Sequence, residues 1–256
     1  MMDNYDGFDD ELWDEFRWEA HLNEVEKKSE QLRKFIASDH KGNIPRWLTL
    51  LQESLDEDDA FEAFIEEELL MDEAYFPEDE DWEDDEDDWE DEDDFLFGNF
   101  GDREEDEYDD FDTGEDWKEL SGDYAQSEYG SLENLHIYIG AKTLAVDILK
   151  WAEKVPSHSQ NHDFQEFVGG LLKIGAKLAG GYSFGFETDY IGANIAYSKK
   201  ALTNANRSLE LLQSLKKKSL FGKKEYMDFH NRLFELRNDI GIYIQELRDQ
   251  FYLGLK

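Results

Sequence analysis

The chain has 256 residues, 65 Asp+Glu against 26 Lys+Arg, a net charge of −39 and no cysteine, which excludes disulfides and thiolate chemistry. The charge is lopsided: residues 1–130 hold 51 Asp+Glu and 9 Lys+Arg (net −42), whereas residues 131–256 hold 14 and 17 (net +3). The first half is therefore unsuited to bare nucleic acid and suited to a basic partner.

The N-terminus, MMDNYDGFDD, has no basic region followed by an apolar run, so no secretory signal is read there. No window approaches the roughly 18 uninterrupted apolar residues of a membrane span, and the expected location is cytoplasmic, away from membranes. Residues 9–38 are expected to form a first helix, with Trp13, Phe16, Ala20, Val25, Leu32, Phe35 and Ile36 near one stripe. Its charge runs from acidic at the start to Lys27, Lys28, Arg33 and Lys34 near the end, which suits the helix dipole. A second helix is expected from about Pro45, carrying Trp47, Leu48, Leu51 and Leu55. A third, over about 58–75, offers Phe61, Phe64, Ile65 and Leu69. A unit of roughly 70 residues with this acidity is marginal alone. It folds either against a partner or against the C-terminal half.

The run Glu78–Asp94 has 15 acidic residues in 17, interrupted only by Trp82 and Trp89. So many carboxylates cannot be buried without counter-cations. The tetrapeptide Asp-Trp-Glu-Asp occurs at 81–84 and again at 88–91, and Phe95, Phe97 and Phe100 continue the alternation of acid and aromatic. Residues 77–130 are expected to be a disordered acidic-aromatic linker, either a solvated spacer or an interaction segment. The aromatics favour the second use, with Trp82, Trp89, Phe95, Phe97 and Phe100 as apolar anchors.

From Ser131 the pattern becomes regular. Ile137, Ala141, Leu144, Ile148, Trp151 and Val155 step by three and four, as do Phe164, Val168, Leu171, Gly175, Leu178 and Tyr182. Ile191, Ile195, Ser198, Leu202, Ala205, Leu209 and Leu212 continue it, then Tyr226, Phe229, Leu233, Leu236, Ile240, Tyr243 and Leu247. Gly180-Gly181 is expected to end the second of these helices. The fold class is thus all-α: an antiparallel four-helix bundle over 131–256, preceded by an acidic half that is helical over 1–76 and disordered over 77–130.

A helix ending in Leu178-Ala179-Gly180-Gly181-Tyr182, then a short turn, then Ile195-Ala196 and a small-residue face ending in Leu209-Glu210-Leu211 resembles a known bundle family. It is the four-helix family of proteins encoded in bacterial 23S rRNA intervening sequences, to which the accessory subunits of diversity-generating retroelements are similar. The resemblance covers residues 135–250. It implies a non-catalytic bundle that assembles into a ring-like homo-oligomer and binds protein or nucleic acid; the accessory subunits do the latter through a strongly basic surface.

Candidate sites are few. His158 and His162 stand four apart near Asp163 and Glu166, a spacing that metal sites use on helices, but the surrounding Pro156–Asn161 reads as a loop. Asp163 is more simply an N-cap, with Glu166 completing a capping box. No Arg stands shortly before His230, so the Arg–His pair of RNA-cleaving bundles is not present there. Gly169-Gly170, Gly175 and Gly180-Gly181 follow no strand and read as positions of close helix approach rather than a phosphate loop. Arg237-Asn238-Asp239 with Asn194, Asn204 and Asn206 form either a polar layer or an exposed surface. Lys216, Lys217, Lys218, Lys223 and Lys224 cluster at the last turn as a solvated helix end, or as a docking patch for phosphate or for the acidic segment, whose roughly 50 residues span about 40 Å.

No cofactor and no enzymatic role are expected. The expected function is an interaction or adaptor protein whose bundle is an oligomerising or docking platform and whose acidic arm binds a basic partner. The alternative is a nucleic-acid mimic, or a nucleic-acid-binding bundle autoinhibited by its acidic arm.

Overall fold

The computed structural model describes residues 12–36, 44–73, 131–155 and 161–254, and among them every regular element is helical. In chain order these are α1 (Glu15–Ile36), α2 (Arg46–Glu53), α3 (Glu57–Glu73), a 3-10 turn (Leu132–Asn134), α4 (His136–Lys154), α5 (His162–Phe184), α6 (Ile191–Lys217) and α7 (Lys223–Gly254).

Helices α4 to α7 form the four-helix bundle. Each packs on its neighbour in sequence, and α4 closes the ring against α7. Register is read from the close approaches. Gly140 faces Leu236, Gly170 faces Ser208, Gly181 faces Asn194, and the Arg237 Nε donates to Asn206 Oδ1 at 3.0 Å. The 3–4 spacing of apolar residues puts Ile137, Leu144, Ile148, Phe164, Phe167, Leu171, Leu212, Leu233 and Ile240 in the core with almost no exposure.

The N-terminal helices are built onto this bundle. Trp47, Leu50, Phe61, Phe64 and Ile65 belong to the same hydrophobic cluster as the bundle core. Helix α3 lies along α4 and α5, and α1 lies on α6. The glycines of α5 explain why α3 fits. A Cβ at Gly175 would come within 2.6 Å of Phe61 Cζ, and one at Gly180 within 3.1 Å of Leu69 Cδ2. The small residues thus permit close helix approach, and a methyl at Gly175 would strike the buried Phe61 ring.

Several local expectations are corrected. Helix α5 does not stop at Gly180-Gly181 but runs to Phe184, and Gly185 (φ 86°) terminates it. The two glycines are spent on packing against Tyr197 and Asn194 instead. The N-cap of α5 is Asn161, whose Oδ1 accepts from Phe164 N at 3.3 Å, so Asp163 falls inside the first turn. Pro45 stands at the N-cap of α2 in extended conformation rather than in its first turn. Leu55, expected on the apolar face of α2, is 96 % exposed because the helix ends at Glu53. Phe16, expected on the apolar stripe of α1, is 63 % exposed, and the Lys199 ammonium lies 5.0 Å from its ring. The side chains of Phe35 and Ile36 lie outside those described.

Candidate functional site: an ionic seam between the acidic helices and the bundle

Helix α1 starts where Asp14 Oδ1 accepts from Phe16 N (3.1 Å) and Arg17 N (2.8 Å), a side-chain cap that satisfies two first-turn donors. Glu15, Glu19, Leu22, Glu26 and Ser29 follow at steps of three and four, so one stripe of α1 is mainly acidic and polar where an apolar stripe is usual. That stripe faces cations of the bundle. Glu15 takes Arg248 in a two-point pair, Oε2 to Nε at 2.8 Å and Oε1 to Nη2 at 2.9 Å. Glu19 pairs with Lys199, and Glu26 Oε2 with Lys200 Nζ at 2.7 Å. Among the described side chains of α1, the buried apolar ones are Leu22 and Val25, with Trp18 packed beside Phe184 and the Tyr197–Ala196 surface. Gly192 makes room at the helix start, where a Cβ would meet Trp13 O at 2.5 Å.

Helix α3 continues the seam. Lys142 Nζ meets Glu62 Oε1 at 2.8 Å and Asp58 Oδ1 at 3.8 Å. At the far end of α3, Asp72 Oδ2 receives Lys177 Nζ at 2.6 Å, and both side chains are only 4 % exposed. Glu26 Oε1 is 3.7 Å from the same ammonium, and Tyr197 OH donates to Asp72 Oδ2 at 3.4 Å. Burial raises the Asp72 pKa above the usual carboxylate range, against the opposing pull of Lys177. Burial, then the Asp72 charge, pushes the Tyr197 phenol far up. A polar cavity of about 180 Å³ opens beside this pair, lined by Glu26, Glu68, Asp72, Lys173, Lys177 and Asn204 among others.

Along the seam, carboxylates of α1 and α3 neutralise a line of bundle cations. Sequence reasoning missed it because carboxylates are too numerous for any one to stand out. The available signal was the 4–3–4 spacing of Glu15, Glu19, Leu22 and Glu26.

The basic residues at the α6–α7 turn do come together, but not as five equivalent lysines. Lys218 Nζ binds Asp163 Oδ2 at 2.6 Å, and Ser214 Oγ donates to the same oxygen at 2.9 Å. These bonds, Lys218 first, hold the Asp163 carboxyl below its usual range. The Lys216 ammonium sits 4.3 Å from the centre of the Tyr226 ring. Lys217, Lys223 and Lys224 are exposed and have no ion-pair partner among the described residues. His162 is exposed at the start of α5, with Nε2 3.3 Å from Glu166 Oε1, while His158 lies outside the described residues. No group of three or more His, Cys, Asp or Glu among the described residues is arranged to hold a metal. The polar residues read as either a layer or an exposed surface are divided: Asn206, Arg237 and Asn238 are hydrogen-bonded together, Asn194 is buried and donates to Gly185 O at 3.1 Å, and Asn204 lines the cavity. Trp82, Trp89, Phe95, Phe97 and Phe100, named as partner anchors, lie outside the described residues.

Comparison with protein-family models, curated proteins and solved structures finds no match in any of the three. No helix among the described residues is long and apolar enough to cross a membrane.

Proposed function

We propose that the protein is a non-enzymatic interaction protein whose helical body presents an acidic, tryptophan-bearing segment to a basic partner. The observation that supports this is the seam itself. Five cations of the bundle, Arg248, Lys199, Lys200, Lys177 and Lys142, are already paired with the chain's own carboxylates. Residues 74–130 meanwhile hold 28 Asp+Glu against 2 Lys+Arg, which draws a cationic partner by long-range attraction. Trp82, Trp89 and the phenylalanines at 95, 97 and 100 then supply apolar anchors.

The test is titration of the full chain with a lysine- and arginine-rich peptide at several salt concentrations. Affinity is expected to fall steeply with salt. Trp82→Ala with Trp89→Ala is expected to weaken it about tenfold further at constant charge. Binding insensitive to salt, or untouched by loss of both tryptophans, overturns the proposal.

A second reading is favoured by the acidic stripe of α1. Carboxylates spaced along a helix over Lys199, Lys200 and Arg248 occupy the place phosphates of a nucleic acid would take, so α1 acts as an internal mimic that keeps those cations covered.

A further inference from the structure

Helix α1 closes over Asp72 of α3. Ser29 of α1 is buried, and its Oγ donates at 3.1 Å to the carbonyl of Met71, the residue before Asp72. Glu26, Ser29 and Glu30 of α1 form one wall of the polar cavity, and Glu68 and Asp72 of α3, Lys173 and Lys177 of α5 and Asn204 of α6 form the others. A single buried ammonium serves both acidic helices there: Lys177 Nζ lies 2.6 Å from Asp72 Oδ2 and 3.7 Å from Glu26 Oε1. Lys200 of α6 holds the other oxygen of Glu26 at 2.7 Å. Among the described residues, the charged and titratable groups around Asp72 are therefore Glu26 and Glu30 from α1, Glu68 from its own helix, Lys173 and Lys177 from α5, and Tyr197 and Lys200 from α6.

Two of the influences on Asp72 arrive with α1. Docking of that helix strips water from the carboxylate and brings the Glu26 charge to the same ammonium, and both effects favour the protonated acid. Lys177 opposes them, but it belongs to α5 and is present whether or not α1 is docked. Binding linkage is reciprocal: a docking step that raises the proton affinity of Asp72 is itself strengthened by a proton on Asp72. A neutral Asp72 no longer repels Glu26 and leaves Lys177 free to attract it.

We infer that Asp72 is a proton-operated latch for α1, which is held tightly while the buried carboxyl carries a proton and is loosened when the proton leaves. This goes beyond the capture of a basic partner and stands whatever α1 covers. The latch contribution is full below the pKa of the undocked acid and is lost as pH rises through the raised value of the docked one. Helix α1 thus opens more readily as pH rises. A seam held by ion pairs alone does the reverse, because acid discharges its glutamates. His21 of α1, packed beside Trp13 and Trp18, also acts in the opposite sense: burial, against Glu24 and with Lys28, lowers its pKa, so a proton there loosens the helix.

The test is hydrogen exchange of the α1 amides in the full chain from about pH 4.5 to 8, corrected for intrinsic exchange rates. His21→Gln is present throughout, with and without Asp72→Asn. With Asp72 the α1 opening constant is expected to rise about threefold or more across the range, and with Asn that rise is expected to be lost. A second measurement does not depend on the Asn variant. Glu26→Gln is expected to lower the Asp72 pKa, read from its carboxyl carbon by NMR, because the competing charge on Lys177 is gone. An opening constant that is flat or falls as pH rises, a rise that survives Asp72→Asn, or an Asp72 titration unmoved by Glu26→Gln each overturns the inference.

Discussion

At the residue scale the decisive pair is Asp72 with Lys177. Two charges 2.6 Å apart and almost without solvent interact strongly, but each has lost its hydration, and the net effect depends on what else satisfies them. Glu26 and Tyr197 supply the additional contacts. Because burial leaves Asp72 with a raised pKa, the folded chain holds its proton to higher pH than the unfolded chain does. The contribution of this group to stability is therefore full below its unfolded value and is lost as pH rises through the folded value. Asp72→Asn imitates the protonated form. Its stability relative to wild type is expected to improve as pH rises through that window, as read by urea denaturation at a series of pH values. A constant difference across the series contradicts the raised pKa. Neither partner was legible as a site in the sequence, because Asp72 is one of 65 acidic residues and the 3–4 pattern of α5 gives no hint that Lys177 faces inward.

At the element scale, α1 and α3 are held by different forces. Helix α3 contributes Phe61 and Ile65 to the core, whereas the described side chains of α1 bury only Leu22 and Val25 among the apolar ones and meet the bundle through Glu15, Glu19 and Glu26. Partly exposed ion pairs contribute only about 0–1 kcal/mol each and are screened over about 10 Å at 0.1 M salt. Helix α1 is thus the first element expected to open. In hydrogen exchange on the full chain, its amides are expected to lose protection with added salt while those of α5 and α6 do not. Replacing Glu15, Glu19 and Glu26 together by Gln is expected to lower the α1 opening free energy by roughly 1–3 kcal/mol. That variant also decides the internal-mimic reading: with α1 released, Lys199, Lys200 and Arg248 are uncovered, and single-stranded RNA is expected to bind. Release of α1 without any gain in RNA binding leaves that reading without support.

At the scale of the whole molecule, the acidic half and the bundle are not independent bodies among the described residues, since α2 and α3 complete the bundle core. The Phe61 ring is fully buried opposite Gly175, so Phe61→Ala opens a cavity at the joint and is expected to cost about 3–5 kcal/mol. The loss is expected in one cooperative thermal transition that includes the bundle helices. Two separate transitions, with the bundle unaffected, contradict a shared core.

The sequence alone determined the all-helical class, the four bundle helices to within a few residues, and the segregation of charge. These are local or periodic properties: apolar steps of three and four place a stripe on one face whatever packs against it, and net charge needs no coordinates. The small residues of α5 were also legible as places of close approach. The sequence did not determine what approached them, because Gly175 and Gly180 receive α3, far away along the chain. Nor did it distinguish Gly185, which ends α5, from the Gly180-Gly181 pair, which does not. Which carboxylates meet bundle cations, and which of the five lysines at the last turn are already engaged, were decided only by the tertiary structure. A charge acquires its role from its partner across space, and a helix stripe is inner or outer only once the other helices have taken their places.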